Sequence, residues 1–326
     1  MKAVWYDRQG TAAEVLVHGD LPTPTSGPGE VLVRVAASGV NPSDWKSRSG
    51  KGRPMAFPRV IPHSDGAGHI EAVGEGVARS RIGQRVWIWN GQWKRPFGTA
   101  AEYIALPSAQ AVPLPENVGF AAGACLGIPA LTALHAVLTD GGVTRQRVLV
   151  TGGAGSVGHY AIQFARLLGA AQVISTVSTE AKATHALLAG ADHTVNHRTE
   201  DVVGRVTALT GGAGVDRVVD VDVSGTAPML PGLLAPGGIC AAYGANAGTA
   251  TVTFGAAIMK GIAVRYFIVY ELSAAQRAVA IAALNPWLER GLLQHTIAAH
   301  APLADCAAAH DAVEQGAYIG NLVLDC

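Results

Sequence analysis

Residues Val148–Gly158 read VLVTGGAGSVG. A short apolar run, Val148-Leu149-Val150, ends at Thr151 and passes directly into glycines. Behind them His159–Gly169, HYAIQFARLLG, carries apolar residues at helical spacing. The stretch therefore reads as strand, tight turn and helix. Within it Gly153, Gly155 and Gly158 fit G-x-G-x-x-G. In such a turn the first glycine permits the bend, the second lets the backbone approach a pyrophosphate, and the third lets helix and strand pack closely. Free N–H groups at the helix start then face the phosphates. Gly153, Ala154, Gly155, Ser156, Val157 and Gly158 are the candidate dinucleotide cradle. The bland alternative is a glycine-rich turn that binds nothing.

The residues C-terminal to the cradle give it context. Gln172–Thr176 reads as a strand, Glu180–Ala189 as a helix, His193–Val195 as a strand and Thr199–Leu209 as a helix. Asp216–Val221, the short helix Pro228–Leu234 and the strand Gly238–Tyr243 continue the alternation. Strands and helices at this spacing argue for a parallel sheet covered on both faces. Ile262–Val269, IAVRYFIV, is a further apolar strand.

The chain ahead of the cradle has another character. Lys2–Trp5 reads as a strand, Val15–Val17 as a possible second, and Glu30–Ala37 alternates cleanly as a half-buried strand. Ser38–Asp44 is expected to be a loop. His69–Val73, the stretch Ile82–Trp87 and Thr99–Ala105 add strands and turns, which together suggest a barrel-like domain. From Phe120 the composition shifts, and Ala121–Leu138 is expected to be mostly helical around Pro129. At the other end, Ala274–Arg290 and Leu303–Gln315 read as helices and Gly320–Leu324 as a last strand. That tail has too few elements for a domain of its own, so it is expected to rejoin the first.

Lys plus Arg and Asp plus Glu are each 24, a net charge of zero that offers no footing for nucleic acid or an anionic membrane surface. The low charge density, 15%, hints at buried subunit surface. No apolar run has the length of a membrane span, and the first residues lack the apolar core of a signal peptide. Cys125, Cys240, Cys306 and Cys326 are far apart and form no CxxC pair. Neither a structural zinc site nor a disulfide framework is expected, and the cytoplasm is the default compartment.

NAD-binding domains place Asp or Glu about 20 residues beyond the glycines, on the ribose hydroxyls. Here that stretch is Ser175–Glu180, STVSTE, in which Ser178 occupies the place and no acid ends the strand. Ser178 and the nearby Lys182 could instead meet a 2′-phosphate, which selects NADPH. Glu180 is the competing acid, although its position also suits the first turn of a helix. Lys182 could equally be a solvated helix lysine.

The segments ASGVNPSDWKSRSG (37–50), IPHSDGAGHIEAVG (61–74), GTAAEYIALP (98–107), VLVTGGAGSVGHYAIQFAR (148–166), STEAKATHALLAGAD (178–192) and the terminal GNLVL span nearly the whole chain. With them the sequence resembles the zinc-free quinone oxidoreductase, or zeta-crystallin-like, branch of the medium-chain dehydrogenase/reductases. The resemblance implies an α/β fold: a GroES-like, β-barrel-type domain with an inserted Rossmann nucleotide-binding domain. The expected division is a substrate domain at 1–119, a nucleotide domain at 120–262, and a segment 263–326 that supplies an edge strand and returns to the first domain. It also implies a homodimer or homotetramer joined through the strand at Ile262–Val269.

Zinc-dependent relatives carry a cysteine where this chain has Asn41, a histidine where it has Ser64, and a second cysteine near Ile128. All three ligand positions are lost, so no metal is expected; His63 and His69 are read as loop or surface histidines. Without a Lewis acid, alcohol oxidation loses its usual mechanism, while reduction of a conjugated acceptor remains feasible. The resemblance puts Asn41 beside the nicotinamide, where its amide could stabilise charge on a carbonyl oxygen. It puts Thr132 near the nicotinamide ribose and Tyr243 at the cofactor cleft. Asn41 could instead make an Asx-turn before Pro42, Thr132 could be a core threonine, and Tyr243 could cap its strand. His197 stands where relatives often have a tyrosine near the adenosine 2′-phosphate.

Departures concern the acceptor. Lys46 and Gly52 replace loop aromatics of known quinone reductases, and Asn321 replaces a common lysine. Trp87, Trp89, Trp93 and Phe97 offer other rings for a planar acceptor, with Trp87 better read as core. The leading expectation is an NADPH-dependent quinone reductase acting by direct hydride transfer on a small planar quinone or enone. The alternatives are a reductase of small α,β-unsaturated aldehydes or ketones, and a non-catalytic NADPH-binding protein.

Overall fold

In the computed structural model, which describes residues 1–326, short strands joined by glycine and proline turns fill the first third of the chain. β1 (Lys2–Trp5) pairs antiparallel with β2 (Val17–Asp20), and the short helix α1 (Ala12–Val15) lies between them. The strand expected at Val15–Val17 is therefore split. Val15 ends a helical turn and packs with Tyr6 and Val60, and extended chain begins beyond it.

β3 (Glu30–Val40) runs past Ala37, because Ala37–Val40 pair with the chain's last strand. Asn41 then caps α2 (Pro42–Ser49). Ser38–Asp44 is thus not a loop but a strand end running straight into a helix. Pro42 at the first helical position has the right fixed φ, and the Asp44 carboxylate accepts the otherwise orphaned Asn41 amide at 2.7 Å. β4 (Asp65–Val73), β5 (Arg85–Ile88), β6 (Tyr103–Pro107) and β7 (Ala111–Pro113) complete this part of the sheet.

After α3 (Phe120–Gly123) a π-helical turn, Leu126–Ala130, carries Pro129 into α4 (Leu131–Leu138). The second unit then alternates as β8 (Arg147–Val150), α5 (Ser156–Leu167), β9 (Gln172–Val177), α6 (Glu180–Leu188), β10 (His193–Asn196), α7 (Val202–Leu209) and β11 (Val215–Asp220). The short helices α8 (Val223–Thr226) and α9 (Leu230–Leu233), β12 (Leu234–Ala242), α10 (Phe254–Lys260) and β13 (Ala263–Tyr266) follow. All sheet pairings here are parallel, in the order β10-β9-β8-β11-β12-β13. That is the doubly wound Rossmann order, with its switch point between β8 and β11. Val148, Leu149 and Val150 are all fully buried, as a strand covered on both faces requires. Arg217 is also buried in β11, and its guanidinium caps α4 through the Ala136 and Thr139 carbonyls.

β13 stops short of Val269, because Val269–Glu271 turn into a 3-10 helix whose first carbonyl accepts from Arg277 at 2.8 Å. The tail comprises α11 (Ala274–Glu289), β14 (Ile297–Pro302), α12 (Cys306–Gln315) and β15 (Asn321–Asp325). β14 has no counterpart among the strands expected from the sequence. β15 pairs parallel with β14 and antiparallel with β3, giving the sheet order β14-β15-β3-β4-β5-β7 with β6 also on β3.

The compact units are Met1–Ile128 with Asn285–Cys326, and Pro129–Leu284. α3 packs on β3 and β4, which places the change of unit beyond it. No helix is long and apolar enough to cross a membrane.

Candidate active site

Geometry in the second unit centres on the turn after β8. The bend itself falls on Gly152, with φ 65°, rather than on the first glycine of the motif. Gly153 is needed for space: a Cβ there would stand 1.9 Å from Ser175 Oγ and 2.7 Å from Ile162 Cδ1. At Gly158 a Cβ would lie 2.3 Å from the Gly152 carbonyl oxygen, so helix and turn touch backbone to backbone. At Gly155 an added Cβ meets a single atom, at 3.3 Å, which leaves the front of the turn open. The first amides of α5, from Ser156 and Val157 onward, have no partners within the helix.

Side chains lock this turn to both neighbouring strands. The Gly152 amide donates to Thr176 Oγ1 on β9 at 3.0 Å. Thr151 Oγ1 donates to Asp220 Oδ1 at the end of β11 at 2.8 Å and accepts from the Val221 amide at 2.9 Å. Burial raises the Asp220 carboxyl above its ordinary range, against the hydrogen bonds that lower it. The switch point is thus a fixed frame around an open turn.

At the rim, Lys182 Nζ lies 3.3 Å from Ser178 Oγ, and no carboxylate pairs with it. Thr179 caps α6, and Glu180 is exposed in its first turn. His197 is exposed, and its amide donates to the Val177 carbonyl at 3.0 Å. The structure therefore brings Ser178 and His197 to the ends of the adjacent strands β9 and β10, with Lys182 reaching Ser178 from α6. Tyr243 follows β12, with its amide on the Asp220 carbonyl at 3.1 Å. Burial, then Asp220, pushes its phenol far above the ordinary range. Thr132 is buried in the first turn of α4.

The first unit holds a different kind of site. Asn41 is 4% exposed, and its Nδ2 donates to Asp65 Oδ2 at 2.9 Å. Asp65 is fully buried in the first position of β4. It is walled in by glycine: a Cβ on Gly127 would stand 2.3 Å from Asp65 Oδ1. Burial raises the Asp65 carboxyl well above its ordinary range, outweighing the Asn41 bond. Burial also lifts Asp44 to about 7. A carboxamide has two N–H donors, and Asp65 engages one of them in a fixed direction. Asp65 and Asp44 are the residues that sequence reasoning missed here. The signal for Asp65 was an acid among the small and apolar residues that open β4, and that for Asp44 was its place three residues beyond the cap Asn41.

The positions that hold zinc in the zinc-dependent relatives gather around this carboxyl. Asn41 bonds it directly, Ser64 precedes it, and Ile128 follows Gly127, whose backbone packs against it. An amide N–H, a hydroxyl and an aliphatic side chain do not make a zinc donor set. Cys125 is buried nearby, with its thiol donating to the Ala121 carbonyl.

Of the aromatic segment, Trp87 is fully buried in β5, while the Trp93 ring has the Arg53 guanidinium over it at 4.1 Å. His69 is exposed. His63 is not a surface histidine: it is fully buried, on a left-handed backbone, with its ring nitrogens on Ser38 and His310.

Comparisons with known proteins bear on the family and the fold. Residues 27–116 match the family model described as an alcohol dehydrogenase GroES-like domain, and residues 156–284 one described as a zinc-binding dehydrogenase. The chain is 32% identical to a 2-haloacrylate reductase from a Burkholderia species, covering 91% of each chain. It is 32% identical to a quinone oxidoreductase of Pseudomonas aeruginosa, covering 95% of each. Among solved structures, an Escherichia coli quinone oxidoreductase complexed with NADPH superposes with a TM-score of 0.89 at 27% identity, over all of both chains.

Proposed function

We propose that the chain, which belongs to the zinc-independent, zeta-crystallin-like quinone oxidoreductase branch of the medium-chain dehydrogenase/reductase superfamily, is an NADPH-dependent quinone reductase. The observation that carries the cofactor choice is the rim of the glycine turn. β9 runs out into Ser178, whose hydroxyl is met by the Lys182 ammonium from the first turn of α6, where a carboxylate would favour NADH. Gly155 and the start of α5 fit a pyrophosphate in front of the open turn. Lys182, Ser178 and His197 would hold the 2′-phosphate, with Thr132 and Tyr243 on the nicotinamide side.

Bound NADPH supplies a hydride from its nicotinamide ring. The chain's own contribution is the Asn41 amide. One N–H is held by Asp65, and the other donates to the acceptor oxygen on which negative charge develops. In a buried setting such a donor contributes about 10²–10³ in rate. Asp65 is a positioning residue: it fixes the amide's direction. The acceptor takes one hydride and one proton and leaves as a hydroquinone.

Metal-stripped protein tests this reading, with NADPH oxidation followed against 1,4-benzoquinone, 9,10-phenanthrenequinone and 2-cyclohexenone and with NADH as control. Turnover of quinones with NADPH in preference to NADH supports it. Tight NADPH binding without consumption by any acceptor would favour a non-catalytic binding protein. Turnover of the enone alone would favour a second reading, reduction of a small conjugated double bond, which the similarity to a 2-haloacrylate reductase supports.

The free edge of the second unit supports a homodimer. β13 ends the sheet, and Phe254, Ile258 and Met259 of α10 and Tyr266 of β13 are 75%, 60%, 86% and 64% exposed. An apolar edge of this kind is relieved by pairing with a second copy. Four unpaired thiols accord with a reducing, cytoplasmic setting.

A further inference from the structure

Three metal-ligating side chains from distant parts of the sequence meet in the core of the first unit, apart from the Asn41 centre. His63, Cys306 and His310 are each fully buried, and one donor atom from each lies within 4.8 Å of the others. His63 Nε2 stands 2.9 Å from His310 Nε2 and 3.9 Å from Cys306 Sγ. Cys306 and His310 lie one turn apart on α12, so their spacing sets both on one face of the helix.

His63 reaches them from a strained backbone. Its φ of 77° lies in the left-handed region, at a cost of about 1–3 kcal/mol for a non-glycine residue. The neighbouring segment holds it there. The Gly98 amide bonds Ile61 O at 2.8 Å and the Thr99 amide bonds His63 O at 3.0 Å. A Cβ on Gly98 would lie 2.1 Å from His63 O, so only glycine allows this approach.

Hydrogen bonding decides which ring nitrogen of His63 is bare. Thr99 donates its hydroxyl proton to the Asp65 carbonyl, which can only accept. Thr99 must then accept from Ser38 Oγ, 2.8 Å away. With its own proton so engaged, Ser38 can only accept from His63 Nδ1 at 2.9 Å. His63 therefore carries its proton on Nδ1 and aims the Nε2 lone pair at His310 and Cys306. Metal-bound histidines have this arrangement, in which an oxygen fixes the tautomer through the other nitrogen. His310 Nδ1 has no partner, so no second hydrogen bond ties that ring to one tautomer.

We propose that His63, Cys306 and His310 form a structural site for a thiophilic d10 cation, zinc(II) or copper(I), separate from the hydride-transfer chemistry. A thiolate with two neutral imidazoles suits either ion. Two nitrogens about 2.0–2.1 Å from zinc in tetrahedral geometry stand roughly 3.3 Å apart, so the rings part by a few tenths of an ångström on loading. The Cys306 S–H bond breaks as the sulfur–metal bond forms, and that proton leaves to solvent. His310 shifts its remaining proton from Nε2 to Nδ1. No electron is transferred.

The test uses the full-length chain, stripped with chelator, given one equivalent of cobalt(II) as the zinc probe or of copper(I) under anaerobic conditions, and then desalted. The expected result is one ion retained per chain, with a thiolate-to-cobalt charge-transfer band and a raised Tm after zinc loading. Retention of copper(I) alone identifies copper as the ion, and retention of cobalt identifies zinc. Cys306→Ser and His310→Gln should each weaken binding by at least the roughly 10–100-fold that loss of a second-shell partner costs. Should those variants fail to fold, Ser38→Ala, which removes only the tautomer-fixing oxygen, should still weaken retention. Failure of the wild-type chain to retain either ion overturns the proposal, as does bound cobalt without a thiolate band or equal retention by a folded Cys306→Ser chain.

Discussion

The glycine turn of the second unit and the Asn41 centre of the first handle polar groups in opposite ways. Around the turn, backbone amides and the Lys182 ammonium face outward, and only the frame behind them, Thr151 with Asp220 and Gly152 with Thr176, is closed. Around Asn41 the polar groups are buried and turned inward, the Asn41 backbone amide on Asp44 and its carboxamide on Asp65, with Asp65 Oδ1 left without a partner. The open region leaves its donors facing solvent. The closed region already holds its amide in one direction through Asp65. Recognition by charge tolerates solvent, whereas a directed donor gains strength from its absence.

Four substitutions would break or sharpen that contrast. The largest effect is expected at Gly158→Ala, whose methyl would fall 2.3 Å from a backbone oxygen and 2.7 Å from a backbone carbon that cannot step aside. NADPH binding measured by fluorescence titration should be lost, with a stability loss of about 1–3 kcal/mol from overpacking. If binding survives, the turn is less rigid than its frame suggests. Asn41→Ala should lower kcat about 10²–10³-fold while leaving NADPH affinity near wild type. An unchanged kcat would remove Asn41 from the chemistry and leave it a helix cap.

Lys182→Ala should weaken NADPH about tenfold, the scale of one charge-assisted hydrogen bond, and leave NADH unaffected. Equal losses for both cofactors would argue against a 2′-phosphate contact. The last effect touches stability and not cofactor binding or turnover: a pH dependence at Asp44, whose carboxyl is lifted to about 7 by burial. A raised acid binds its proton more tightly in the folded state. The stability tied to it is therefore present below pH 4 and lost as pH rises through about 7. Asp44→Asn should flatten this loss, which is at most about 4 kcal/mol. Urea midpoints at pH 5 and pH 8 for both proteins read it directly, and parallel midpoints would mean that Asp44 titrates normally.

The two regions also differ in how much of them can be read from residues alone. β8, α5 and the strands beyond them announce themselves through local periodicity, and the glycines mark a turn that few other residues could make. Even there, the positive φ belongs to Gly152, one residue ahead of the motif. The Asn41 centre is assembled by strand register: β3 delivers Asn41 and β4 delivers Asp65, and nothing local to either joins them. His63, Cys306 and His310 are still more dispersed, and counting cysteine spacings cannot detect a cluster closed by α12. The start of α2 reads as loop because the pattern of Ser38–Asp44 is that of a turn until Pro42 and Asp44 are seen as a helix start. β14 escapes a search for alternation because its polar and apolar residues do not alternate as on a half-buried strand; Ile297–Ala299 are all partly covered.

The pairing of β15 with β3 carries a consequence for how the chain is made. The sheet around Asn41 lacks its β15 partner until residues 321–325 have been synthesised, whereas Pro129–Leu284 contains every strand of its own sheet. During translation the nucleotide unit can therefore finish folding while the first unit, begun earlier, still waits for its last strand. Until then the edge of β3 at Ala37–Val40 is open, and the ribosome, not the protein, sets how long that edge remains unpaired.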